Sequence, residues 1–356
     1  MTDVGGFSIL KPTDPRWDVL FNALPSPARD IFYSAGFARL CAKMLPPSEM
    51  PVCAAFSSGA GDILLYPFVV RDLAALVDSS ISKGLQDTIS LYGRGGVVGC
   101  ASPDALKAFH QSLARYMFDQ RVLCSFDRFH PVMLNHTLAV RNCEIIDVGG
   151  FVVVDLLLSP QALRESFKSS VRKDLRKAER NGITCFAEAN CSHLVDFLEI
   201  YYQTMERNSA NAFYFFPEVF FKALPTELPG QFHFFYAVHE GRIVSCELVL
   251  HHGRYSHSFL GGTRREYLPL AANPLLKEAI FHEMKQLGCE FFFLGGGQRA
   301  NDSIFSFKHA YAPDGVLASL VGGTIWRHDE YEGLKLDMIQ GGREISPNRF
   351  QFYDRQ

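Results

Sequence analysis

The stretch from Arg254 to Leu294 limits the fold more than any other. Arg254–Leu260 reads as a strand, Asn273–Leu287 as a helix stopped by Gly288, and Glu290–Leu294 as an aromatic strand. Strand, helix, strand in that spacing is a crossover unit, and its two strands become parallel neighbours. Just upstream, Phe232–His239 and Arg242–Leu250 meet at Glu240-Gly241, a hairpin signal. The sheet is therefore antiparallel first and parallel only where the helix crosses over. The Gly295-Gly296-Gly297-Gln298-Arg299 loop follows, then a short helix near Phe305–Tyr311 and strands near Val316–Val321 and Thr324–Arg327. This order specifies an α+β domain.

The N-terminal half has the same texture. Val52–Phe56 and Ile63–Val70 form a hairpin across a Gly-containing loop. Ser102-Pro103-Asp104 opens a helix to about Gln120, with Leu106, Phe109, Leu113 and Met117 toward the core. Arg121–Phe126 returns as a strand. A break at Asp147–Gly150 precedes the apolar strand Phe151–Leu158 and places a boundary there, giving domains 1–150 and 151–356. A chain of 356 residues has room for two such domains.

Several classes are excluded at this level. The net charge of -3 argues against a whole-surface nucleic-acid binder and against DNA as partner, though not against a local basic site. The N-terminus has no secretory pattern, and no apolar run is long enough to span a membrane. Nine cysteines without CxxC spacing read as free thiols of a cytoplasmic protein. No HExxH or zinc spacing is present, so no metal site is expected.

Three stretches carry chemistry. From Gln161 to Arg180 a single helix is expected, with Leu163, Phe167, Val171, Leu175 and Ala178 on one face. Lys168, Arg172, Arg176 and Arg180 recur every four residues on another, with Lys173 and Lys177 beside them. Such a stripe suits the phosphates of a nucleotide or an RNA. A solvated face, partly neutralised by Glu165, Asp174 and Glu179, has the same pattern. The second stretch is the Gly295–Gly297 loop after an aromatic strand, where backbone amides can approach an anion; a structural turn reads alike, and Gly93-Arg94-Gly95-Gly96 shares that ambiguity. The third is Phe305-Ser306-Phe307-Lys308, which sets a cation beside aromatic rings.

Together these pieces carry a resemblance. Asn273-Pro274-Leu275-Leu276, then Leu287-Gly288, Phe291–Leu294, Gly295-Gly296-Gly297 and Phe305-Ser306-Phe307-Lys308 resemble the C-terminal signature of the Fem-type (FemAB-like) peptidyltransferases and their GNAT-fold relatives. Val171–Ala178 followed by Asn181-Gly182-Ile183 resembles the basic segment that opens the family's second domain. Arg207 matches the Arg after its next helix. Tyr92–Val97 resembles a Y-x-x-x-G-P segment of the first domain, with Val97 where the family has Pro.

The resemblance implies two tandem GNAT-like domains, each a mixed, mostly antiparallel sheet flanked by helices. It implies an aminoacyl- or acyltransferase acting in peptidoglycan or related cell-wall biogenesis. The acyl group moves from aminoacyl-tRNA, with acyl-CoA as the alternative co-substrate and no tightly bound cofactor, to an amine of a nucleotide-sugar or lipid-linked precursor. Lys308, with Phe307 beside it, is implied as the catalytic pair, the cation meeting an oxyanion or the donor's phosphate. Arg207, Tyr92, Arg94, Tyr214, Asn273, Gly296 and Gly297 are implied in substrate binding, and Lys168, Arg172, Lys173 and Arg176 in contacting RNA or phosphate. Two other readings stand beside this one: a CoA-dependent N-acyltransferase of polysaccharide or lipid-sugar synthesis, and a non-catalytic binding protein on the same fold. Tyr267–Asn273, where CoA-dependent GNAT enzymes carry a glycine-rich pyrophosphate loop, has no glycine and includes Pro269, which weighs against CoA in the second domain.

Overall fold

The computed structural model describes residues 6–297, 302–343, 345 and 349–354; Gln298 and Arg299 of the glycine-rich loop lie outside them. Contacts divide the chain into two compact units, Met1–Val148 with Ser319–Gln356, and Gly149–Ala318.

The first unit begins with β1 (Gly6–Leu10), α1 (Pro15–Ala23), α2 (Ala35–Ala42), β2 (Glu49–Ser57), β3 (Ile63–Asp72) and α3 (Leu73–Leu76). It continues with β4 (Gln86–Ile89), β5 (Val98–Cys100), α4 (Pro103–Asp119) and β6 (Val122–Arg128). Strand β7 (Glu144–Asp155) leads into the second unit: α5 (Pro160–Ser166), α6 (Ser169–Arg180), β8 (Thr184–Glu188), α7 (Leu194–Arg207) and α8 (Glu218–Glu227). Then come β9 (Phe232–His239), β10 (Arg242–His252), β11 (Tyr255–Thr263), α9 (Ala272–Gln286), β12 (Phe291–Gly295) and α10 (Ser303–His309). Strand β13 (Val316–Ile325) returns to the first unit, which α11 (His328–Gln340) completes.

Each unit holds a mixed, mostly antiparallel sheet flanked by helices. In the first, the order is β1-β2-β3-β4-β6-β13 with β5 on β3, and only β4–β6 is parallel. In the second, the order is β7-β12-β11-β10-β9-β8, and only β11–β12, joined through α9, is parallel. The local signals operate as expected. The Ser102 hydroxyl caps α4 at the Ala105 amide, and Phe109, Leu113 and Met117 are buried against β2 and β3 residues. Glu240 and Gly241 both take positive φ, which a two-residue hairpin turn requires. All nine cysteines are free. Among the described residues no helix is long and apolar enough to cross a membrane.

Four features differ from the sequence reading. First, residues 319–356, expected in the second domain, group with the first unit, where β13 pairs with β6 and α11 packs into a core with Leu73, Leu85 and Leu123. Second, the division near residue 150 does fall where expected, between Val148 and Gly149, but the strand is not interrupted there: Asp147–Gly150 lies inside β7, and its two glycines do not end the extended run. Third, the two strands expected at Val316–Val321 and Thr324–Arg327 are one strand, β13, that runs through Gly322-Gly323 and ends at Ile325, with Arg327 at the N-cap of α11. Fourth, the helix over Gln161–Arg180 is two helices. Phe167 and Lys168 are extended (ψ 148° and 152°), so Lys168 caps α6 instead of lying within it. Neither residue breaks helices, so tertiary contacts hold the bend. Phe167 is buried edge-on to Phe281 and Tyr311, and the Lys168 amide donates to Ala310 O at 2.8 Å.

Candidate active site

The second unit contains a fork. Strands β11 and β12 pair only through Tyr255–His257 and Phe291–Phe293. Beyond that point β11 runs on to Thr263 without β12 as its neighbour, while Leu294 is an extra residue where β12 pairs with β7. A second extra residue, Phe259, sits in β11 opposite Leu248 and Val249. Such bulges bend and re-aim strands. The parallel pair therefore parts at its C-terminal ends.

Lys308 stands at this fork. Helix α10 is capped by Asp302, whose carboxylate accepts from the Phe305 amide at 2.7 Å. From its last turn the Lys308 ammonium donates to Gly296 O at 2.7 Å. Gly295 has φ +92°, and a Cβ there would lie 3.0 Å from Lys308 Nζ, so glycine admits both the backbone turn and the cation. Phe307 is 44% exposed and meets Tyr311 edge-on, leaving much of its ring on the surface. Gly296 is half-buried and Gly297 exposed. The structure thus brings together Lys308, Phe307, Gly296 and Gly297.

Arg207 ends α7, and α7 packs on β11. Its guanidinium donates to Thr263 O at 2.9 Å, so it lies at the open end of β11. The buried Arg264 beside it forms a two-pronged pair with Glu199, at 2.6 and 2.9 Å. Tyr214 is exposed in a short 3₁₀ turn, Ala212–Tyr214, whose last carbonyl accepts from the Tyr201 hydroxyl. Asn273 lies in the first turn of α9, and its Oδ1 is buried with no hydrogen-bond partner among the described residues. The loop before α9 folds as a 3₁₀ turn, Arg265–Leu270, in which the Tyr267 and Ala271 amides donate to Arg264 and Leu268 carbonyls. Those amides are engaged internally and Pro269 has none.

The basic face is redistributed by the bend at Phe167. Arg172 reaches back to the carbonyls of Glu165 (2.8 Å) and Phe167, closing the end of α5 as cations do at a helix C-terminus. Arg164 bridges Glu179 and Glu278. Lys173 and Arg176 remain on the exposed surface. Arg172 and Arg176 line a shallow depression of about 260 Å³ with Arg164, Gln161 and Glu165. Lys168 Nζ lies 3.3 Å from His309 Nδ1, next to Lys308, so the start of the basic helix adjoins the helix that carries the candidate cation.

Tyr92 and Arg94 belong to the first unit, and both are half-buried. Arg94 donates to Phe129 O at 3.2 Å, and burial pulls its pKa down to about 10. The Gly93–Gly96 loop is a packed turn, not an anion cradle. The Gly95 amide donates to Arg128 O and the Gly96 amide to Asp127 Oδ1. Gly96 has φ +82°, and a Cβ would meet the Phe129 ring at 2.8 Å.

Asp127, which the sequence reading did not single out, organises this loop. It also accepts from Ser90 and Tyr66 hydroxyls, at 3.1 and 2.9 Å. Burial pushes its carboxyl up to about 6 despite these bonds. The folded protein then holds the proton more tightly than the unfolded chain. This contribution is full below about pH 4 and is lost as pH rises through about 6. Asp127→Asn should remove a pH-dependent component on the order of 2–3 kcal/mol over that window. Urea unfolding of both proteins from about pH 4 to 7 reads it, and parallel stability profiles would refute it.

Buried charges inside apolar runs were the available signal for residues that sequence reading passed over. Asp127 in Val122–Arg128 is one. Glu247 in Ile243–Leu250 and Lys277 in Leu275–Ile280 are two more. Glu247 and Lys277 form a buried pair.

Residues 165–308 match the family model described as an acetyltransferase (GNAT) domain. No curated protein matches in sequence. Among solved structures, FemX superposes with a TM-score of 0.70 at 13% identity, over 92% of this chain and 100% of that one. L-PGS from Bacillus licheniformis gives 0.56 at 14% identity, over 94% and 99%. A tandem GNAT protein from the clavulanic acid biosynthesis pathway gives 0.50 at 12% identity, over 90% and 98%.

Proposed function

We propose, because residues 165–308 match an acetyltransferase (GNAT) domain model and the chain folds like FemX, that it moves an aminoacyl group from aminoacyl-tRNA to an amine of a phosphate-bearing cell-envelope precursor. The observation that carries this reading is the position of Lys308: a cation held on Gly296 O at the fork of β11 and β12, one helix away from the basic start of α6. The acceptor amine attacks the ester carbonyl carbon, forming a C–N bond. The C–O bond to the ribose breaks, the amine loses a proton and the ribose oxygen gains one. Negative charge gathers on the carbonyl oxygen between these events, and a fixed ammonium stabilises it. Phe307 shields the reacting group from water. Arg207 at the end of β11, with Asn273, Tyr214, Gly296 and Gly297, receives the acceptor or the donor's acyl end. In the first unit, taken by itself, Arg94 and Tyr92 are assigned to an anionic group.

Two features weigh against CoA as donor. The Tyr267 and Ala271 amides ahead of α9 are engaged within their own turn, and those of Gly95 and Gly96 within the first unit. Lys173 and Arg176 then contact RNA phosphates, with Arg172 shaping the surface between them. The test pairs the donor with these two exposed residues. Transfer to nucleotide-sugar or lipid-linked amines is measured with charged tRNA and with acetyl-CoA. Transfer from tRNA alone is expected. Lys173→Glu with Arg176→Glu should weaken tRNA binding at least tenfold and lower the slope of log affinity against log salt by about 2. Transfer from acetyl-CoA, with tRNA inert, would replace this reading by a CoA-dependent N-acyltransferase. Binding of the precursor without transfer from either donor would make it a binding protein.

A further inference from the structure

The fork has a buried ionic anchor. Lys277 Nζ, on the inner face of α9, donates to Glu247 Oε1 of β10 at 2.6 Å and to Ser258 Oγ of β11 at 2.9 Å. The same ammonium lies 5.9 Å over the Phe292 ring of β12. The side chains of Lys277 and Glu247 are 7% and 5% exposed. Ser258 directly follows His257, the last β11 residue paired with β12. One cation thus touches three strands at the point where two of them part. It is also linked to the candidate catalytic helix. One turn along α9, Phe281 packs on Tyr311, whose amide donates to Lys308 O.

Stability does not account for a buried ion pair at this place, because apolar residues of similar volume generally serve a core as well or better. We propose that Lys277 and Glu247 are positioning residues that set where β11 and β12 separate, and so where the acyl carbonyl sits relative to Lys308. The inference rests on the acyl-transfer reading for its kinetic consequence, but not for its structural one. Breaking the anchor frees the first unpaired residues of both strands. Their loss of register would misplace a carbonyl without changing which groups bind the substrates, and misplacement of about 1 Å is enough to slow a reaction 10²-fold.

The test is the double variant Glu247→Leu with Lys277→Met, which removes both charges and keeps apolar volume. Its melting temperature should stay near that of the parent protein. Acyl transfer should fall at least tenfold in kcat, with KM for both substrates within about threefold. Amides of residues 258–263 and 294–296 should exchange with deuterium at least tenfold faster, with other strands unchanged. Unchanged kcat together with unchanged exchange would overturn the proposal. If the parent protein transfers no acyl group, the acyl-transfer reading fails and the exchange measurement alone decides the anchor. If the double variant does not fold, Ser258→Ala, which deletes a single partner of Lys277, takes its place. The same local rise in exchange is then expected, and its absence would count against the anchor.

Discussion

Replacing Lys308 by methionine should lower kcat/KM for the proposed acyl transfer by about 10²–10³, the loss seen when one charge-stabilising donor is removed from a transition state. Methionine keeps the length of the stem and removes only the cation, so folding should be little affected. The ammonium donates to the carbonyl of Gly296 in a half-buried position. The kinetic constants separate the two roles assigned to it. A fall in kcat with steady donor KM identifies oxyanion stabilisation. A rise in donor KM with steady kcat identifies phosphate binding. Activity within twofold of the parent protein on both constants would remove Lys308 from the site. Arginine is not an adequate substitute: its planar fork is wider than an ammonium, and the space at Gly295 admits a cation only because no Cβ is present.

Arg71→Met destabilises the first unit by about 3–5 kcal/mol. Arg71 and Asp87 are buried together, joined at 2.8 and 2.6 Å, and Arg71 also bonds Asp354 at 2.7 Å. Asp87 accepts in addition from Gln351 and Tyr353, at 2.9 and 2.7 Å. Burial works against the Arg71 charge, but the two carboxylates outweigh it and hold its pKa above the ordinary arginine value. Methionine would leave the Asp87 carboxylate buried without its cation. Urea unfolding at neutral pH measures the loss. The further change Asp87→Leu should recover part of it, since the cost lies mainly in the orphaned charge. A single variant as stable as the parent protein would show that residues 351–354 are not anchored through this pair.

What the linear sequence determined about this protein is what neighbours three or four residues apart decide. Ser102 and Pro103 start α4, and Glu240-Gly241 turns a hairpin, because a cap or a positive φ acts within one turn. The apolar face of Leu163, Phe167, Val171, Leu175 and Ala178 is buried as its spacing demands, even though the helix beneath it is broken. The crossover from β11 through α9 to β12 was legible for the same reason. So were the glycines and the Lys308 segment that mark the candidate site, since they stand in a short ordered run.

Only the tertiary structure decided the rest, because the partners are far apart in the chain. The bend at Phe167 and Lys168 is held by Tyr311 and Ala310, more than 140 residues later. Arg172 therefore serves the end of a helix instead of a continuous basic stripe. Residues 319–356 fold with the first unit because β6 offers a free edge to β13 and Arg71 a buried charge to Asp354. The Gly93–Gly96 loop is a packed turn because Asp127 and Arg128 take its amides. Lys277 and Glu247 lie 30 residues apart, and their pairing follows from the packing of α9 against β10. Local periodicity is an interaction between neighbours and can be read along the chain; the pairing of buried charges depends on which elements pack together, and it exists only once they have.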